Sequence, residues 1–285
     1  MPMIREVTVL GAGQMGSGIA QTFAQHGYMV GLYDIESAAV TRGLAGIEES
    51  LSRFVRKGSL SEEDKSQILQ RIHPSTDLNI ATRSQLVIEA VPEKIALKTA
   101  ILKQLDDRCS QNTIFATNTS SISITAIASA TRRPEQVIGM HFMNPVPIMP
   151  LVEIIRGLAT SVDTFEQIQF VTQQLGKTGV EVQDAPGFVS NRILMPMINE
   201  AIYTVYEGVA APEAVDQVMK LGMHHPMGPL TLADFIGLDT CLAIMETLHQ
   251  GFGDSKYRPC PLLRKYVSAG WLGRKTGRGF FEYDE

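Results

Sequence analysis

The residues that could do chemistry start with one histidine and one carboxylate. His141 follows the short apolar run 137–140 and opens His-Phe-Met-Asn-Pro, while Glu153 interrupts Leu-Val-Glu-Ile-Ile, an otherwise apolar strand. A carboxylate inside such a run is expected to be buried, and a buried carboxylate needs a partner. Pro145, Pro147 and Pro150 punctuate the link, so the chain can turn back and set Glu153 beside His141. Such a pair holds the imidazole in one tautomer and stabilises the imidazolium when it forms. That is the equipment of a general acid–base catalyst. The spacing equally allows Glu153 to be a solvent-facing residue on an edge strand and His141 a satisfied loop histidine. Ser120, in Asn118-Thr119-Ser120-Ser121 after another apolar run, offers a hydroxyl on the same side, and Ser121 is a candidate helix cap. The remaining histidines suggest no partner, and no spacing fits a zinc site, so no metal is expected.

The second constellation is Gly11-Ala12-Gly13-Gln14-Met15-Gly16, directly after an apolar strand and directly before a helix. In that context the first glycine permits a tight turn and the second lets backbone approach a pyrophosphate. The third lets the helix lie close to the strand. The helix N-terminus then offers free N–H groups to phosphates. Asp34 closes the next strand, 18 residues after Gly16. A carboxylate there accepts ribose hydroxyls of NAD and repels the extra phosphate of NADP. NAD is therefore the expected cofactor, with NADP less favoured. A plain glycine turn with an unrelated Asp is the bland alternative.

These residues need elements to hold them. Apolar runs at 6–10, 29–34, 86–91, 113–117, 137–140, 151–156 and 180–183 alternate with amphipathic stretches such as 16–26 and 93–107. That alternation predicts an α/β domain with a doubly wound, parallel, Rossmann-type sheet over residues 1–184. Between its second and third runs, Val40, Leu44, Ile47, Leu51 and Phe54 fall on one helical face, Gly58-Ser59 breaks the pattern, and Ser61 caps a second helix. This predicts an inserted helical hairpin, with Ser50, Arg53 and Lys57 on another face of its first helix. After Asp184-Ala185-Pro186-Gly187 the pattern turns to long helical windows, 188–207, 212–221, 230–250 and 261–269, with a strand expected only in the final GFFEY. Residues 185–285 thus read as an all-α C-terminal domain for substrate binding and dimerisation. Leu194, Met195, Met197, Ile198, Ile202 and Val205 give its first helix an apolar surface that favours a homodimer.

Composition narrows the class. A chain of 285 residues with 44% hydrophobic and 19% charged residues is globular rather than disordered. A net charge of −5 gives no overall footprint for nucleic acid or anionic lipid. No run approaches a membrane span. With the first strand opening at residue 6, no targeting segment is expected. Cys109, Cys241 and Cys260 form no pair motif and read as reduced thiols, so a cytoplasmic location is expected.

Six motifs together resemble the L-3-hydroxyacyl-CoA dehydrogenase family, in particular its bacterial 3-hydroxybutyryl-CoA dehydrogenases. They are GAGQMGSGIA from Gly11, TNTSS from Thr117, GMHFMNP from Gly139, PGFVSNR from Pro186, Met227-Gly228-Pro229, and GRKTGRGF from Gly273, spread over nearly the whole chain. The resemblance implies a dinucleotide-binding domain followed by a helical dimerisation domain. It implies NAD-dependent oxidation of (S)-3-hydroxyacyl-CoA, with a short-chain substrate. His141 matches the catalytic histidine and Glu153 its partner carboxylate. Ser120 and Asn191 match residues that hold the reacting oxygen. Glu93, Lys98, Asn144 and Lys275 match positions near the nicotinamide half of the cofactor, and Ser50 and Lys57 match contacts to coenzyme A. L-gulonate dehydrogenases resemble the same family and share the His–Glu dyad, so a non-CoA hydroxy acid stays open as a substrate. So does a non-catalytic NAD-binding module.

Overall fold

In the computed structural model, which describes residues 4–283, the apolar runs become the strands of one sheet. In chain order they are β1 (Glu6–Leu10), β2 (Met29–Tyr33), β3 (Ile72–Ser75), β4 (Leu86–Glu89), β5 (Ile114–Thr117), β6 (Val137–Phe142), β7 (Leu151–Arg156) and β8 (Thr178–Gln183). The sheet order is β3-β2-β1-β4-β5-β6-β7-β8. Every neighbouring pair is parallel except β6 with β7, which is antiparallel. Buried apolar side chains fill β1 and β4, and with Ile114, Phe115 and Ala116 most of β5, because helices cover a parallel sheet on its faces. Strand β3 has no counterpart among the expected runs. Its Ile-His-Pro-Ser lacks alternation, and Pro74 is tolerated because β3 is the edge.

The connections are α1 (Gln14–Gln25), α2 (Ser37–Arg56), α3 (Glu62–Gln70), α4 (Ile95–Arg108), α5 (Ile124–Ala128) and α6 (Val162–Gln174). The inserted hairpin is α2 and α3. Ser61 caps α3 by accepting from the Asp64 N–H at 3.0 Å. Val40, Ile47 and Leu51 are buried under α2. Gly43 lets α2 press onto the glycine loop, since a Cβ there would lie 2.7 Å from the Ala12 carbonyl oxygen. The hairpin is thereby fixed to the glycine turn between β1 and α1.

The chain divides after Asp184 into two compact units. The second contains α7 (Ser190–Tyr206), α8 (Pro212–Leu221), α9 (Pro229–Ile236), α10 (Leu238–Phe252) and α11 (Pro261–Ser268). The window 230–250 is two helices rather than one, because Gly237 (φ 101°) breaks it. Within the final GFFEY only Glu282 joins an isolated bridge, to Arg278, and the segment forms no strand. There the Asp234 carboxylate takes the Phe280 and Phe281 N–H groups instead. Of the apolar residues assigned to an association surface, Met195, Ile198 and Ile202 are buried in this unit's own core. Its exposed apolar side chains are others, among them Ile193, Val209, Val218 and Leu221.

Candidate active site

The antiparallel turn back from β6 to β7 decides the central geometry. Register sets His141 directly across from Glu153. His141 Nδ1 lies 2.7 Å from Glu153 Oε2. Strand β8 continues the sheet outside β7, so Glu153 is interior to it and only 2% exposed. A carboxylate accepts, so Nδ1 donates, and Nε2 is left as the basic nitrogen of the ring. Asn118, after β5, ties this strand in place: its Oδ1 accepts the Phe142 N–H at 2.9 Å.

Ser120 follows one strand over. Glu93 Oε1 accepts from the Ser120 N–H at 2.9 Å and from the Thr119 hydroxyl at 2.5 Å. Lys98 Nζ sits 3.1 Å from Glu93 Oε2 and 2.8 Å from Glu89 Oε1. Burial alone pushes the Glu93 carboxyl up, but the Lys98 ammonium, the Thr119 hydroxyl and the Ser120 amide outweigh it and hold it below its ordinary value. Lys98 itself is buried, so it acts from behind Glu93 and does not stand on the open face. Glu89 was not among the candidates. It ends β4, buried, and also accepts from the Thr117 hydroxyl at 2.6 Å and the Val91 N–H at 2.7 Å. Its sequence signal was the one that marked Glu153, a carboxylate in an apolar run.

The glycine loop fits a dinucleotide. Gly13 is exposed with open space where a Cβ would stand, and a Cβ on Gly16 would lie 1.8 Å from the Gly11 carbonyl oxygen. Gln14 opens α1, with Met15 half-buried behind it. The Asp34 carboxylate is anchored against the loop, accepting from the Ala12 N–H at 2.9 Å and the Glu36 N–H at 3.1 Å. A cleft of about 450 Å³ runs from Gly13 and Gln14 past Asn144 to Ser50 and Arg53 of α2. Gln14 Nε2 donates to Asn144 Oδ1 at 3.2 Å across it. Lys57 is the exposed C-cap residue of α2, one turn beyond Arg53. The segment bearing Asn144 is held from behind by Lys177, buried, whose Nζ donates to the Val146 and Met149 carbonyls, each at 2.7 Å. Burial lowers the Lys177 ammonium from the ordinary lysine range. Neither Lys177 nor Asp184, which caps α5 through Ser123, Ile124 and Thr125, carried a sequence signal.

Two candidates belong to the second unit. Asn191 is buried in the first turn of α7, its N–H on the Gly187 carbonyl at 3.1 Å. Lys275 pairs with Asp239 at the start of α10, Nζ to Oδ1 2.6 Å. Burial raises the Asp239 carboxyl, and the Lys275 bond and charge overcome this and hold it low. Among the described residues no group of His, Cys, Asp or Glu could hold a metal, and no helix is long and apolar enough to cross a membrane.

Residues 6–185 match the 3-hydroxyacyl-CoA dehydrogenase NAD binding domain, and residues 187–283 match the C-terminal domain of the same family. A probable 3-hydroxybutyryl-CoA dehydrogenase of Bacillus subtilis is 60% identical, over 99% of this chain and 98% of its own. The human mitochondrial hydroxyacyl-coenzyme A dehydrogenase is 41% identical, over 99% of this chain and 92% of its own. The crystal structure of (S)-3-hydroxybutyryl-CoA dehydrogenase from Ralstonia eutropha superposes with a TM-score of 0.96 at 52% identity, covering 99% of this chain and 100% of that one.

Proposed function

Because this chain belongs to the 3-hydroxyacyl-CoA dehydrogenase family, we propose that it is an NAD-dependent oxidoreductase that interconverts (S)-3-hydroxyacyl-CoA and 3-oxoacyl-CoA. 3-Hydroxybutyryl-CoA is its substrate, the molecule named for relatives at 60% and 55% identity. The observation that carries the chemistry is the buried His141–Glu153 pair on the sheet that also bears the glycine loop and Asp34.

NAD held in the glycine-loop cleft would supply the hydride acceptor for C3 of the substrate, and the hydroxyl proton has to leave to the protein. His141 Nε2 takes that proton as general base, and returns it as general acid in the reverse direction. Glu153 stabilises the imidazolium and fixes the ring. Ser120, with Asn191, holds the reacting oxygen, and Glu93 fixes Ser120 through its backbone and side chain. Asp34 takes the adenosine ribose, the α1 N-terminus and Gly13 take the pyrophosphate, and Asn144 and Lys275 serve the nicotinamide half. Ser50 and Lys57 hold coenzyme A. Ser50 and Arg53 on the same cleft as the glycine loop support a phosphate-bearing thioester over a free sugar acid. The NAD-binding domain is residues 1–184 and the substrate and dimerisation domain residues 185–285.

The enzyme works as a homodimer in the cytoplasm. Exposed Ile193, Val209, Val218 and Leu221 support association, and three buried, unpaired cysteines suit a reducing compartment. Light scattering near twice the 31.2 kDa chain mass is expected at micromolar concentration, and the monomer mass would remove the dimer. The function is tested with racemic 3-hydroxybutyryl-CoA and NAD: half the thioester, the S form, should be converted with one NADH each. Consumption of the R form, or none, would overturn the reading.

A further inference from the structure

Behind Ser120 the fold places one ammonium between two carboxylates. Lys98 is 1% exposed and pairs with Glu89 at 2.8 Å and Glu93 at 3.1 Å. Counted formally, the cluster carries one net negative charge. Its carboxylates differ in place. Glu89 lies inside β4, while Glu93 lies in the following loop with 36% of its side chain exposed. A neutral Lys98–Glu93 pair would already hold the Ser120 turn. The second carboxylate adds a desolvation cost that the turn does not require.

Strand order says what this charge faces. Asp34 follows β2 and the glycine loop follows β1. A dinucleotide with its adenosine ribose at β2 and its pyrophosphate at β1 therefore runs its nicotinamide half over β4 and β5. The segments after β4 and β5 carry Glu93 and Thr119–Ser120. The nicotinamide ring is cationic in NAD⁺ and neutral in NADH, so a fixed negative charge in a poorly solvated wall attracts only the oxidised form.

We propose that the Glu89–Lys98–Glu93 cluster sets the enzyme's preference between the two redox forms of its cofactor. Its net charge favours NAD⁺, and Glu89 supplies that charge without touching the cofactor. The proposal rests on the dinucleotide reading of the cleft. The depressed Glu93 carboxyl keeps the charge in place throughout the neutral range.

The test is the dissociation constant of the full-length protein for NAD⁺ and for NADH, by titration calorimetry, in wild type and Glu89→Gln. Glutamine keeps the shape, its one carbonyl oxygen can still accept from the Val91 N–H, and its NH₂ group can donate to the Thr117 hydroxyl, which rotates to accept, while the cluster becomes neutral. NAD⁺ should bind about tenfold more weakly, the size expected of one unit charge roughly a nanometre away at a protein edge. NADH should stay within about twofold, since it has no ring charge to lose. Thr117→Val removes a bond to Glu89 but no charge and should leave the ratio of the two constants alone. Equal weakening of both forms, an unchanged ratio, or a ratio that also moves in Thr117→Val would overturn the proposal. If Glu89→Gln does not fold, Glu93→Gln, on the exposed side, must move the ratio in the same direction, and failure to do so overturns it. Wild type that binds neither nucleotide would refute the dinucleotide reading itself, which separates the two failures.

Discussion

Replacing Glu153 with Gln removes one charge from the site and almost no volume. The carboxylate is 2.7 Å from His141 Nδ1 and is 2% exposed, so solvent screens the pair little. With the charge centres about 4 Å apart and an effective dielectric of about 20, the imidazolium–carboxylate attraction is ~4 kcal/mol. That attraction is gained only when His141 takes the substrate proton, so its loss falls on the transition state, about 10³-fold in kcat. The glutamine amide can also turn its NH₂ group to Nδ1, which moves the ring proton to Nε2 and silences the base. The assay is steady-state NADH formation from (S)-3-hydroxybutyryl-CoA and NAD, the direction in which His141 takes the proton, alongside NADH affinity by fluorescence titration and a thermal melt. Affinity should change less than about twofold, because the glycine loop and Asp34 hold the nucleotide. His141→Gln alone should cost about 10²–10⁴-fold, and the double variant should be no worse than the poorer single one. A folded Glu153→Gln enzyme within tenfold of wild-type kcat, or single losses that multiply, would refute the reasoning.

Asp34→Ser should weaken NAD and improve NADP, read as a fall in the ratio of kcat/KM values; a wild type that already prefers NADP would contradict the role of Asp34. Lys57→Ala should raise KM for acetoacetyl-CoA with kcat nearly unchanged, an effect that shrinks at high salt and is absent for the pantetheine thioester. Equal KM shifts for both thioesters would take Lys57 out of coenzyme A binding. Lys177→Met should cost about 2–4 kcal/mol by urea unfolding, because it strands the Val146 and Met149 carbonyls. An unchanged midpoint would mean that the buried ammonium's own desolvation offsets its bonds.

The first unit was legible where a single residue type departs from its surroundings. A glycine run between strand and helix, and a carboxylate within Leu-Val-Glu-Ile-Ile, each break a pattern for a reason the structure makes visible. The same departure stands at Glu89 in Leu-Val-Ile-Glu, but with no histidine close by in the chain it points to no partner. Its partner Lys98 arrives from a helix turn later, so the cluster exists only after folding. Strand β3 escaped because an edge strand with Pro74 needs neither alternation nor a full set of donors. The window 230–250 looked continuous because its apolar period runs through Gly237, whose positive φ interrupts the hydrogen bonds but not the pattern. Gly43 and Lys177 depend on close approaches between distant segments, which spacing along the chain does not encode. Asn191 and Lys275 became candidates only through family resemblance, since neither motif states its partner.

The most direct measurement follows NADH in three parallel reactions of the purified chain: with acetoacetyl-CoA, with 3-dehydrogulonate, and with no second substrate. The account predicts rapid NADH loss with acetoacetyl-CoA, abolished by His141→Gln, and none in the other two. Turnover of 3-dehydrogulonate in preference to the thioester, or loss of NADH in none of the three, would contradict it.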